Sequence, residues 1–592
     1  MRLHDTIVRL VCVLLAVAML IGASGRLDSL QKSREELKLV SVPDLKNAPP
    51  EVAFATVALG AFRGLVVDIL WMRAEKLKED GQFYDARQIA EWITILQPRF
   101  AEVWDFQGWN MAYNISVAVP REQWEERWMW VRNGYELLRD QGIEKNPHSI
   151  LLYRSLAWIF QHKIGGVTDD CHKHYKRELA MAMRKLIKPS DKYGEVTHED
   201  FERLMAAPEN VSQLLKDSEV AKLVAALRKA DEQFKDDKDL AESFLNISPG
   251  QFDPKVFDVQ DIWRGTEAYD KLDVFCRAYV LRNEWKFDIE LMDKLNKKYG
   301  PISLEDSEKT SPLNWEHPDA HAIYWAELGL KRAGRPGEYS VDEKNTDRIV
   351  FHSLQKLYRM GRVIVYPIPG EVPSVYLRPD LRMFDVCDKL WQEKISKYME
   401  MEGSNPKAVK GGHKNMLENG LYSFYQAGHK LKAGMIYKKL RDLYKLDEYK
   451  VSLFEFVQLR MRDEIKDLEI HDATEQLMMS LRESYFRYAN GDDEEAFGRE
   501  QFARELYKHY LNLYGDIEIR RIDLPSFEML SYMALRDFLG DPYYPDIMKQ
   551  GLLNRIESER PDLIEKIKTS EVEFMEMMKK RQEEMEKAKS SD

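Results

Sequence analysis

LWMRAEKLKEDGQFYDARQIAEWITILQPRFAEVWDFQGWNMAY, residues 70–113, is the stretch on which the fold turns. Apolar and small residues recur in it at helical spacing, and two helical patterns are separated at Asp80-Gly81. Ala74 and Ala86 place small side chains on each pattern, where two antiparallel helices need them to approach closely. Pro98 closes the second pattern, because a proline inside a helix removes an N–H and clashes with the preceding turn. From Leu70 the next equivalent start is Trp104, a step of 34 residues. There Gly108 falls on the small position of the new first helix.

Comparable cycles follow. One closes at Asn146-Pro147 after an aromatic helix with Trp124, Trp128 and Trp130. Another runs from Ile150 through Trp158 and Phe160 and on over 169–187. Further along, Trp325-Ala326-Glu327-Leu328-Gly329 reads W-x-x-L-G, with Pro318 and Asp319 as a first helical turn upstream. Ala433, Tyr437 and Leu440 share one helix face, as do Ala503, Leu506 and Tyr510 after the turn Asn490-Gly491-Asp492. These residues resemble the tetratricopeptide repeat, over 52–190 and in patches of 315–360 and 412–515. The chain is similar in this to the membrane-tethered helical-repeat proteins of bacterial envelopes. The resemblance implies an all-α fold of helix–turn–helix repeats, an α-solenoid with a concave face for peptides or partner helices.

Composition agrees with a helical body. Glycine (30) and proline (23) are scarce in 592 residues, and the 13 tryptophans supply large side chains for the grooves between helices. A net charge of −12 with both signs mixed along the chain argues against a nucleic-acid partner, which would require a basic face. The length predicts more than one core. The reading divides it into 1–26, a signal anchor or signal peptide; 27–51, a stalk; and 52–190, the repeats. A charged helical middle follows over 191–310, then a helical region with an extended arm over 311–400, and repeat-like helices over 401–592. Prolines and β-branched residues in 362–379 predict that arm or a short hairpin.

The N-terminal run Leu10–Gly25, LVCVLLAVAMLIGASG, follows Arg2 and Arg9. It reads as a transmembrane anchor if Ile7 and Val8 extend it, or as a signal peptide cleaved near Ala23-Ser24-Gly25. The body is expected on the extracytoplasmic side, in a periplasm or envelope, or secreted if cleavage occurs. A second apolar stretch, Val52–Trp71, contains Arg63 and Asp68 and reads as the first helix of the folded body.

The expected function is a membrane-tethered scaffold for a protein or peptide partner, bound on the first-helix face at Trp104, Gln107, Met111 and Asn114. One rival is a metal-dependent envelope enzyme. For it, Asp170, Cys171 and His174 stand at i, i+4 and i, i+3 spacing, and His317 and His321 form a second i, i+4 pair. Capping at Asp169 and ordinary packing explain both clusters better than a metal does. The other rival is a glycan-binding module using the tryptophans between Trp92 and Trp158. No G-x-S-x-G, glycine-rich phosphate loop or H-E-x-x-H is present, so no cofactor and no catalytic residue is expected. Cys12, Cys171, Cys276 and Cys387 form no disulfide or zinc pattern.

Overall fold

A computed structural model describes residues 63–592 except 191–194, 335–340, 367–372, 400–405, 466–469, 515–523, 543 and 590–592. The chain divides into two compact units, Met1–Val103 and Trp104–Asp592. The described residues of both are predominantly helical. Among the described residues no helix is long and apolar enough to cross a membrane. The run Leu10–Gly25 lies outside them.

In the first unit, helix Arg63–Glu79 turns back into helix Phe83–Leu96. Gly81 makes the turn with a φ of +75°, a conformation only glycine adopts without strain. The Gln82 amide donates to Leu77 O at 2.8 Å and the Gly81 amide to Lys78 O at 3.1 Å, which satisfies the last carbonyls of the first helix. Ala74, Ala86 and Ala90 are buried where the two helices meet.

The second unit opens within helix Ala101–Trp109. That helix continues through the π-helical stretch Asn110–Ile115 to Ser116–Ala118. Helix Trp124–Leu137, with its own π-helical stretch Leu138–Gly142, packs back on it. A Cβ built on Gly134 would lie 2.7 Å from the carbonyl oxygen of Gly108, so the two backbones touch where both residues lack side chains. Helix Ile150–Trp158 follows, passes into a third π-helical stretch, Ile159–Ile164, and is succeeded by helix His172–Leu186.

The charged middle is a compact helical insertion. Its core gathers Val220, Leu223, Leu227, Phe234, Leu240, Phe244, Leu272, Phe275 and Cys276. Many of its charges are helix caps. Thr197 and Asp200 form a reciprocal capping box, and Asp217, Asp236, Asp253 and Asp288 accept from the first amides of their helices.

After the insertion the chain returns to the helices it left. Helix Pro318–Ala333 packs against Ile150–Trp158 and Ile159–Ile164, and helix Val341–Met360 packs against Pro318–Ala333 and Ile150–Trp158. Gly329, the last residue of the W-x-x-L-G signature, lies against Tyr153. The strands Arg362–Tyr366 and Ser374–Arg378 pair antiparallel, with Arg362 opposite Arg378 and Ile364 opposite Tyr376. Helix pairs Pro406–Gln426 with Lys430–Tyr444, and Ile470–Ala489 with Asp493–Tyr514, follow. Ala433, Tyr437, Leu440, Ala503, Leu506 and Tyr510 are all buried.

A Cβ at position 329 would sit 2.4 Å from Tyr153 Cβ, an atom next to backbone that cannot swing aside. Gly329→Ala is therefore expected to lower stability by about 1–3 kcal/mol through overpacking. Gly411→Ala, at a helical position with nothing within 4 Å, serves as the control. It is expected to be neutral or to stabilise by up to about 1 kcal/mol. Thermal or urea unfolding of both variants distinguishes packing from helix propensity.

Candidate functional site

Three helices bound a cavity of about 500 Å³ in the second unit. Ala101–Trp109 contributes Asp105 and Trp109. Ile150–Trp158 contributes Arg154, Ser155 and Trp158, and the π-helical stretch adds Gln161. Val341–Met360 contributes Asn345, Arg348, Ile349 and His352. Each helix presents residues three or four apart, which is how a helix lines a surface.

An aromatic strip stiffens one wall. Trp109 stacks on Tyr113 with centroids 4.0 Å apart, and Trp158 stacks on His162 at 4.9 Å. Tyr113 Oη and His162 Nδ1 join the two stacks by a hydrogen bond of 3.3 Å. Trp109 keeps 39% of its surface exposed. Burial, reinforced by Lys356 and Lys163, holds the His162 ring below its ordinary pKa, and burial does the same to His352. Both rings are therefore neutral at pH 7, and the cavity's cations are Arg154 and Arg348. Arg154 is paired with Asp342. Arg348 donates to Asn345 Oδ1 at 3.3 Å and forms no ion pair among the described residues.

The floor is fixed from behind. Gln161 Nε2 donates to Ile349 O at 2.9 Å and to Ser353 Oγ at 2.7 Å, so its amide ties the second helix to the third. The π-helical register makes this possible. The Gly165 amide reaches back to Phe160 O and the Gly166 amide to His162 O, which bypasses the carbonyl of Gln161. Lys356 Nζ donates to that carbonyl at 2.6 Å.

Beside the floor lies a buried ionic cluster. Asp169 accepts from Lys163 Nζ at 2.6 Å, from the Cys171 amide at 2.8 Å, and from Arg127 and Tyr175 at 3.4 Å. Arg127 also donates to Asp170 at 2.5 Å. Burial alone would raise the Asp169 pKa, but the bonds and charge of Lys163, with the Cys171 amide and Arg127, bring it below the ordinary 3.8. A second buried carboxyl, Asp319, is pushed up to about 6 by burial, against the opposing pull of Lys356, Ser353 and Lys176.

The expected partner-binding residues lie mostly inside the helix packing. Trp104, Gln107 and Met111 are buried, and Asn114 is half-buried with its amide donating to Asn110 Oδ1 at 2.9 Å. The helix is the expected one, but the face is not. Residues 104, 107 and 111 follow i, i+3, i+7 spacing into the core, whereas 105 and 109 follow i, i+4 spacing into the cavity. Trp104 and Trp109 stand five residues apart, about 140° around a helix, so both indoles cannot share one face. That offset was the available signal.

Of the candidate metal ligands, the structure keeps Asp170 and Cys171 together and places His174 elsewhere. Asp169, Asp170 and Cys171 bring their ligand atoms within 4.8 Å of one another, but His174 is not among them. The helix begins only at His172, so i, i+4 spacing does not operate from Asp170. His174 instead stacks on Trp124 at 4.6 Å. The charge that a metal ion would bring is already supplied by Lys163 and Arg127. Burial raises the Cys171 thiol's pKa above its ordinary value, against the opposing pull of Arg127. His317 caps its helix by accepting from the Asp319 amide at 3.1 Å, and His321 Nε2 donates to Trp315 O at 2.9 Å. Burial drives their pKa values down to about 3 and about 4. They are packed, neutral rings engaged with backbone.

No protein-family model matches the chain, and no curated protein matches it. The cavity is thus read from its own geometry.

Asp169→Asn leaves Lys163 and Arg127 buried with half their compensation gone, and a loss of about 3–5 kcal/mol is expected. The folded-state pKa of Asp169 lies below its unfolded value, so its contribution is complete above about pH 4 and disappears as the pH falls through the folded value. Urea midpoints measured from pH 3 to pH 7 should therefore fall more steeply towards acid in the wild type than in the Asn variant.

Proposed function

We propose that the chain is a membrane-tethered helical-repeat scaffold whose groove holds an extended segment of a protein partner. The hairpins that follow one another along the chain form an α-solenoid in this reading, with the N-terminal run Leu10–Gly25 as its tether to an envelope membrane. The observation that carries the reading is the cavity between three helices, with its two indoles and its ring of planar polar groups. An extended peptide has unpaired backbone amides and carbonyls at regular spacing. Asn345, Ser155 and Arg348 supply partners for them, and Asp105 supplies an acceptor. Trp109 and Trp158 supply flat apolar area that loses little conformational freedom on binding. Arg348, exposed and without a carboxylate partner among the described residues, is the group best able to strengthen its bonds when a ligand arrives.

A glycan is the second reading, favoured by the same pair of indoles, whose faces suit the apolar faces of sugar rings. The two readings share a site and differ in ligand.

The test is crosslinking and capture of the tagged full-length chain from membranes, comparing wild type with a Trp109→Ala/Trp158→Ala/Arg348→Glu variant. A protein partner crosslinked to the groove and lost from the variant, with Phe454→Ala as an exposed control that retains it, is the expected result. A cell-wall glycan lost in the same way assigns the second reading. Partners indifferent to the groove substitutions refute both.

A further inference from the structure

The third helix of the groove carries positive charge well beyond the groove itself. On Val341–Met360, positions Lys344, Arg348, His352, Gln355 and Arg359 fall at i, i+4, i+8, i+11 and i+15, within an arc of about 80°. The opposite side, at Thr346, Val350, Ser353 and Leu357, is buried. Arg348, His352 and Arg359 are exposed and Lys344 is half-buried. The carboxylates of the same helix are engaged elsewhere. Asp342 pairs with Arg154 and Asp347 with Lys394, both from helices packed against it, and Glu343 is buried. Lys344, Arg348 and Arg359 therefore form no ion pair among the described residues. Burial, and after it the charges of Arg348, Lys356 and Arg359 against a hydrogen bond with Gln355, hold the His352 ring below its ordinary 6.5. The neutral ring thus sits in the combined positive field of cations on both sides of it.

We infer that the segment held in the groove is an acidic peptide, its carboxylates along the basic face from Lys344 to Arg359 and its apolar side chains against Trp109 and Trp158. This rests on the groove reading above and names the chemistry of the occupant. Charge complementarity selects it. The face is continuous with the groove, because Arg348 and His352 belong to both. In a chain of net charge −12 it is a local attraction for anions, which orients an acidic ligand and speeds its encounter. The same net charge repels a long polyanion, and Asp105 on another wall opposes an unbroken row of phosphates. A peptide avoids that conflict by placing a backbone amide beside Asp105 and its carboxylates beside the arginines. Arg348 and Arg359 are 11 positions apart, about 16 Å along the helix, which is the length of roughly five residues of extended chain. Two acidic residues at about that separation meet both guanidinium groups.

The test is fluorescence anisotropy at pH 7.5 with the full-length chain in a neutral detergent. The probes are rhodamine-labelled decapeptides with two glutamates five residues apart and a phenylalanine and a leucine between them. Matched peptides carry glutamine or lysine in place of the glutamates, and a labelled thymidine decamer represents nucleic acid. The glutamate peptide should bind about tenfold or more tighter than the glutamine peptide in 20 mM salt, with the ratio approaching one in 500 mM salt. The Arg348→Glu/Arg359→Glu variant, altered only at exposed positions, should melt with the wild type, lose the glutamate peptide and take up the lysine peptide. If glutamate and glutamine peptides bind alike and both are lost from a Trp109→Ala/Trp158→Ala variant, the groove reading stands and the acidic inference falls. It falls also if the thymidine decamer binds as tightly as the glutamate peptide, or if the charge-reversed variant keeps the original preference. If none of the peptides binds, the acidic inference falls and the crosslinking experiment above decides the groove reading separately.

Discussion

Close approach of helix backbones at small residues is the constraint from which the rest of the architecture follows. Gly134 meets the carbonyl of Gly108, Gly329 meets Tyr153 Cβ, and Ala74, Ala86 and Ala90 fill the first hairpin. Each contact removes the layer of side chains that ordinarily separates two helices. In the second unit these contacts fix two of the helices that line the cavity, Ala101–Trp109 through Gly108 and Ile150–Trp158 through Tyr153.

A second constraint acts through hydrogen bonding. A buried carbonyl without a partner costs more than a bond contributes, so every irregularity in a buried helix must be compensated. The π-helical stretch Ile159–Ile164 bypasses the carbonyl of Gln161, and Lys356 from a helix almost two hundred residues away takes it up. The side chain of Gln161 binds the same distant helix at Ile349 and Ser353. Lys163, two residues on, faces the other way into Asp169. One short irregular segment thus joins the cavity floor, the returning helix and the buried ionic cluster. Lys163 and Arg127 also neutralise the buried carboxylate of Asp169 beside Cys171.

Much of the helical framework was legible along the chain because helical periodicity and turn chemistry are local properties. Gly81 and Gly491 have positive φ, Pro98 follows the second helix, and the arm over 362–379 is the two-stranded hairpin that its β-branched residues and prolines indicate. Gly329 occupies the tight position that the W-x-x-L-G signature assigns to it. The π-helical registers were not legible, since a one-residue widening leaves no mark in hydrophobic spacing. The middle region read only as charged and helical, whereas Asp217, Asp236, Asp253 and Asp288 are helix caps and Asp200 completes a capping box with Thr197.

The sequence by itself determined that this protein is helical, where most of its hairpins turn, and which small residues let helices meet, because each of these depends on neighbours within a few positions. Tertiary structure alone decided which face of helix Ala101–Trp109 is interior. Trp104 and Trp109 are chemically equivalent as indoles, and only the packing of Trp124–Leu137 and Ile150–Trp158 consigns one to the core and the other to the cavity. It alone brought Arg348 and His352 beside Trp158 across an insertion of more than a hundred residues. Proximity between segments so far apart is a property of the folded chain and has no counterpart in residue spacing.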